Sequence, residues 1–116
     1  MNIKDALEKK TYVILGDTVN EEKYAYKIKE ELIKHGYDTF AVGKEHSSIN
    51  EFEKDIDVLV FCINPAKGIM LLKECTRKIS CAVIQPGAGS AEIEEELSSR
   101  SIPFVNDCIY KAILNA

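Results

Sequence analysis

The stretch Asp57 to Ile63, DVLVFCI, is an almost unbroken apolar run. A strand with one wet face would alternate apolar and polar residues. A continuous run fits a strand covered on both faces, as in a parallel sheet. Parallel strands need long crossover connections, usually helices. The rest of the chain must therefore supply more strands and the helices that join them.

Further strand-like runs lie at Thr11 to Leu15, Tyr37 to Val42, Cys81 to Ile84 and Ile102 to Val105. Between them the periodicity becomes helical. Glu21 to His35 places Ala25, Ile28 and Leu32 at helical spacing, and Gly36 stops the helix. Thr18 with Glu21 makes a capping box at its start, with Asn20 as a rival cap. Asn64-Pro65 is a helix start, and that helix is expected to run to about Lys78. Ser90 to Arg100 turns Ile93 and Leu97 inward and sets Glu92, Glu94, Glu95 and Glu96 toward the positive helix end. Residues 2–9 form a short leading helix and Asp107 to Leu114 a closing one. Gly43 to Asn50 is a polar loop, followed by a helical turn over Glu51 to Asp55.

This alternation predicts an α/β, three-layer Rossmann-like fold: a five-stranded parallel sheet with helices on both faces. The expected strand order is 3-2-1-4-5, and 2-1-3-4-5 also fits the pattern. With 116 residues and no linker, repeat or low-complexity segment, the chain reads as a single domain, 1–116.

Composition narrows the function classes. The net charge is −4 and the pI about 5.2, which speaks against a nucleic-acid partner. No apolar run approaches the roughly 20 residues that span a bilayer, so no membrane role is expected. Met1 to Lys10 is charged and lacks a signal-peptide core, so the expected location is cytoplasmic. None of the four cysteines, Cys62, Cys75, Cys81 and Cys108, forms a C-x-x-C pair. No metal site is implied, and free buried thiols are expected.

In such folds ligands bind beyond the carboxyl ends of the strands. That rule selects Gly16 to Asn20, Gly43 to His46, Asn64 to Lys67, Gln85 to Ser90 and Asn106 to Cys108. The first loop has only one glycine of G-x-G-x-x-G: Thr18 and Glu21 hold the other positions. It is either a plain turn or a phosphate-facing helix start. NAD binders end the second strand in an acid, whereas here Val42-Gly43-Lys44 ends it. Lys44, with His46 assisting, suits a phosphate on the adenosine ribose, as in NADP or coenzyme A (CoA). It also reads as a solvated loop lysine. Gly87 and Gly89 allow close backbone approach, or simply make a tight turn. Cys108 sits at a helix start, which lowers a thiol pKa. The two histidines, His35 and His46, are distant in sequence, so burial or capping is the better reading of Cys108.

Taken together, VILGDTVNEEKYAYKIKEELIKHGYDTFAVGKE, DVLVFCINPAKG, AVIQPGAGSAEIEEEL and IPFVNDCIYKAI resemble the small stand-alone CoA-binding domain family. That family is related to the CoA-binding domain of the succinyl-CoA synthetase α subunit. The resemblance implies coenzyme A, or an acyl-CoA, at the strand edge. On that basis Gly16, Asp17 and Thr18, with Lys23 and Tyr24, lie near the adenosine diphosphate. Gly43 and Lys44 meet the phosphates, Asn64 and Pro65 flank the cofactor, and Gln85, Pro86, Gly87 and Ala88 line the exit toward the pantetheine arm. One departure is Val42-Gly43-Lys44, where small family members carry Val-Asn-Pro. The synthetase's phosphohistidine belongs to a separate domain, so no ligase chemistry is carried over.

The expected function is non-catalytic, regulatory binding of CoA or acyl-CoA. The alternatives are an NADP-binding protein or oxidoreductase subunit, and a protein-interaction domain without a ligand. A homodimer or a protein partner is compatible with each. A receiver-type signalling domain is excluded, because Asn64 and Asn106 stand where it needs an acid and a lysine. If CoA binds, its thiol is expected to form a mixed disulfide with Cys62 or Cys108 under oxidation.

Overall fold

Residues 1–52 and 54–116 are described by a computed structural model. The strands are β1 (Thr11–Gly16), β2 (Asp38–Gly43), β3 (Ile56–Phe61), β4 (Ile79–Ile84) and β5 (Phe104–Asn106). The helices are α1 (Ile3–Leu7), α2 (Tyr24–Lys34), α3 (Pro65–Glu74), α4 (Ala91–Ser99) and α5 (Ile109–Leu114), with a 3-10 turn over Ile49–Glu51. All four strand pairings are parallel.

The strand order is β2-β1-β3-β4-β5. This corrects the expected 3-2-1-4-5 in favour of 2-1-3-4-5: β3 pairs with β1 and not with β2. The alternation of elements is identical in both orders. What decides is whether the third strand takes the free edge of β1 or that of β2, and no local pattern encodes that.

Both faces of the sheet are buried, as DVLVFCI implied. On one face Val13, Leu15, Leu59, Phe61 and Ile84 pack with Leu72 of α3 and with Ile93 and Leu97 of α4. On the other, Tyr12, Ile14, Val58, Val60 and Val83 pack with Ala6 of α1, Ala25, Ile28 and Leu32 of α2, and Ile109 and Ile113 of α5. The polar residue of the central strand, Asp57, also has a structural task. Its carboxylate accepts the Lys10 and Thr11 amides at 3.2 and 3.0 Å, fastening the start of β1 to β3.

Several expected boundaries move. Helix α2 starts at Tyr24 with Lys23 as its cap and no capping side chain. The Thr18 and Glu21 box does not form. Asn20 accepts the Glu22 amide at 3.0 Å, but in a turn ahead of the helix, and Asp17 accepts the Val19 and Asn20 amides. Asn64 and Ser90 do cap α3 and α4. Helix α3 ends at Glu74, not near Lys78, and α5 begins at Ile109. The turn expected over Glu51 to Asp55 falls earlier, at Ile49–Glu51, and Glu53 lies outside the described residues. Cys75 and Cys81 are buried, while Cys62 and Cys108 are half-buried.

The junction of the sheet with α2 requires Gly16. A Cβ there would lie 2.6 Å from the Cys62 carbonyl oxygen and 2.8 Å from the Ala25 Cβ. Its register partner Gly43 has φ of 138°, and a Cβ on it would meet the Gly16 carbonyl at 2.7 Å. Two of these contacts are to backbone, which cannot rotate aside. A Gly16→Ala variant is therefore expected to lose about 1–3 kcal/mol of stability through overpacking. Urea unfolding would check this, and an unchanged midpoint would refute the close approach.

Candidate functional site

Helix α2 crosses from β1 to β2 on one face of the sheet, and α3 crosses from β3 to β4 on the other. Their N-terminal ends therefore part above the adjacent carboxyl ends of β1 and β3. A cleft of about 890 Å³ opens there, within the range of small-molecule sites.

The lining comes from four strand-end segments. Gly16 ends β1 and Asp17 follows it, with Lys23, Tyr24 and Ala25 from the start of α2. Gly43 ends β2, and Lys44 and Ser47 follow it. Cys62, Ile63 and Asn64 follow β3, and Lys67, Met70, Leu71 and Glu74 extend along α3. Gln85, Pro86, Gly87 and Ala88 follow β4. The fifth expected segment does not reach the cleft. Asn106 instead borders a smaller hollow of about 500 Å³, which shares Gln85, Pro86 and Gly87 with the cleft.

Eleven of the expected site residues thus share one cleft: Gly16, Asp17, Lys23, Tyr24, Gly43, Lys44, Asn64, Gln85, Pro86, Gly87 and Ala88. Two do not. Thr18 is 4% exposed and turns its hydroxyl to the Glu45 carboxylate. Pro65 occupies the first turn of α3, half-buried outside the lining. His46 does not assist Lys44 either: it pairs with Glu51 at 2.9 Å. The α3 wall was missed. Its signal was the spacing Asn64, Lys67, Leu71, Glu74, which continues from the cap along one helix stripe.

The cleft is charged asymmetrically. Lys23, Lys44 and Lys67 face two acids, Asp17 and Glu74. Among the described residues none of the three lysines enters an ion pair. The Asn20 and Val19 amides hold the Asp17 carboxyl below its ordinary range, and Lys44 and Lys23 act in the same direction. Asn64 accepts the Lys67 amide at 3.0 Å, ordering the start of α3. Helix α2 has no capping side chain, which leaves its first-turn amides without one beside Lys23. The cleft floor is held by Gln85, 6% exposed, which accepts the Ile109 amide at 2.8 Å and approaches the Cys108 sulfur at 3.4 Å.

A CoA binding domain profile matches residues 10–113. The chain belongs to the CoA binding domain family. This CoA binding domain superposes on a conserved hypothetical protein from Pyrococcus furiosus with a TM-score of 0.78 at 26% identity, covering 90% of this chain and 99% of that one. A hypothetical protein from Pyrococcus horikoshii gives 0.87 at 17% identity, over 99% and 92%. A Thermus thermophilus protein gives 0.79 at 16%, over 99% and 98%. The last two establish the shared fold. No curated protein matches the chain in sequence. Among the described residues no group of side chains is arranged to hold a metal, and no helix is long and apolar enough to cross a membrane.

The cysteines of this domain differ in access. Cys62 lines the cleft and Cys108 does not. Burial pushes the Cys62 thiol up to about 11, and Cys108 adds to the push. Disulfide exchange proceeds through the thiolate, so this environment opposes the expected mixed disulfide. Iodoacetamide labelling of Cys62, followed by peptide mass spectrometry, should be slow at pH 8 and keep accelerating toward pH 11. A rate that levels near 9, as in an unfolded chain, would contradict the burial. The folded state holds the thiol neutral while the unfolded one ionises, so this group's contribution to stability falls as pH rises from about 9 toward 11.

Proposed function

We propose that the chain acts as one CoA-binding unit that holds coenzyme A or an acyl-CoA along this cleft, in a regulatory capacity and without catalysis of its own. The observation that carries the reading is the set of three lysines, Lys23, Lys44 and Lys67, that line one cleft and, among the described residues, enter no ion pair. CoA presents a diphosphate and a separate ribose phosphate, so its anionic groups are spread along the molecule as these cations are spread along the cleft.

The arrangement divides naturally. Lys44 stands where Rossmann-type folds meet the adenosine ribose, and takes the 3′-phosphate. Lys23 and the uncapped start of α2 take the diphosphate, for which helix N-terminal amides are suited. Lys67 and the Asn64-capped start of α3 approach the same ligand from the other face. Ile63, Met70, Leu71, Pro86 and Ala88 then form an apolar wall for the pantetheine arm. Met70 is 69% exposed, a large apolar side chain that a bound arm would cover.

A phosphate at the 2′ position of NADP would also meet Lys44, so ligand choice is the test. Melting temperatures should be compared with CoA, dephospho-CoA, acetyl-CoA, NAD and NADP at about 1 mM. A ligand at 100 times its dissociation constant adds roughly 2.7 kcal/mol. The expected result is strong stabilisation by CoA and acetyl-CoA, less by dephospho-CoA, and none by NAD. Lys44→Ala should reduce the CoA shift to the dephospho-CoA level. Stabilisation by NADP alone would replace this reading with a dinucleotide one, and no shift with any ligand would remove it.

A further inference from the structure

The turn after β2 is pinned on either side of Lys44. The Gly43 amide donates to the His46 carbonyl at 2.8 Å, closing the turn on itself. The Glu45 carboxylate accepts the Lys29 ammonium of α2 with both oxygens at 2.6 Å and also accepts the buried Thr18 hydroxyl. His46 is fixed from the opposite direction, by Glu51 at 2.9 Å and by edge-on packing against the Phe52 ring. Glu45 and His46 do not line the cleft, whereas Lys44 does.

We infer that Glu45 is a positioning residue for phosphate recognition: bound to Thr18 and Lys29, it sets the turn so that Lys44 is presented to the ribose phosphate of the ligand. The inference rests on the CoA reading above and adds a role for a residue outside the cleft. It explains why Thr18 is buried beside the phosphate-facing loop yet turned from it. Thr18 and Lys29 tie the β2 turn that carries Lys44 to the β1 loop and to α2. Partial burial pushes the Glu45 carboxyl up, but the hydrogen bonds from Lys29 and Thr18 outweigh it and hold the group below its ordinary range. It therefore remains an anion, and an acceptor, at neutral pH.

Charge and position predict opposite signs. An acid one residue from a phosphate-binding lysine repels the ligand. Removing it, and freeing the Lys29 cation, should tighten binding if only charge matters. If Glu45 positions Lys44, its removal leaves a long side chain to be ordered on binding and weakens recognition. The experiment is calorimetric titration of CoA and dephospho-CoA into the wild type, Glu45→Ala, Glu45→Gln, Lys44→Ala and the Lys44→Ala/Glu45→Ala double variant. Glu45→Ala should weaken CoA by about five- to ten-fold, the cost of immobilising one such side chain, and leave dephospho-CoA unchanged. Glu45→Gln keeps an acceptor for both partners and should recover most of the loss. It also carries the test if Glu45→Ala does not fold. In the Lys44→Ala background the Glu45 effect should vanish. Tighter CoA binding by Glu45→Ala, or an equal change for both ligands, would overturn the positioning role while leaving CoA binding intact. A wild type that binds CoA and dephospho-CoA alike would overturn the assignment of Lys44, and this inference with it.

Discussion

The reversal of chain direction across the sheet, between β1 and β3, is the constraint on which the rest depends. A parallel crossover is right-handed. A chain that steps from β1 outward to β2 must then place its helix on one face, and a chain that steps from β3 the other way must place its helix on the opposite face. Helices α2 and α3 obey this, and each buries an apolar stripe against its own side of the sheet. Neither can cover the carboxyl ends of β1 and β3, and the cleft is the space left between them. Gly16 sits at this point, with the Cys62 carbonyl on one side and Ala25 on the other. Any side chain there would clash with the Cys62 backbone and with Ala25 of α2.

Charged residues divide into those that fasten the scaffold and those left to the cleft. Arg100 donates to Glu96, to the Cys75 carbonyl and to the Lys73 carbonyl, clamping the end of α3 to the end of α4. Carbonyls at a helix C-terminus lack intrahelical partners, so a guanidinium there satisfies groups that would otherwise need water. Asp57 holds the start of β1, and the Glu45–Lys29 pair ties the turn after β2 to α2. Among the described residues the three cleft lysines enter no ion pair. A surface ion pair contributes little to stability, so leaving these lysines unpaired costs the fold little and leaves their full charge for an anionic ligand.

The site was legible to the extent that it is built from strand ends. The rule that ligands meet the carboxyl edge selected Gly16, Lys44, Asn64 and Gln85 without any coordinates, because strand ends can be located from apolar runs. It failed for Thr18, whose place in a phosphate-facing loop did not reveal that its hydroxyl turns toward Glu45. It selected Asn64 to Lys67 but stopped short of Met70, Leu71 and Glu74, further along α3. Their helical stripe was visible, but which side of α3 faces the cleft depends on how the helix sits on the sheet. Capping was read correctly at Asn64, three residues past the end of β3. Before α2 the expected start moves: Asp17 and Asn20 order a loop by accepting the Val19, Asn20 and Glu22 amides, and the helix begins three residues later, at Tyr24.

The sequence by itself determined the elements, their parallel pairing and the burial of both sheet faces. These follow from local periodicity and from the polarity of each run, which are properties of neighbouring residues. It also carried the family resemblance, spread over segments in a fixed order. Tertiary structure alone decided that β3 takes the free edge of β1 and not that of β2, and so where the helices part. It alone decided that Lys23, Lys44 and Lys67, separated by more than 20 residues in each step, face one space, and that Glu45 faces away from it. Such choices rest on contacts between distant segments, whose energies depend on packing in three dimensions and leave no local mark on the chain.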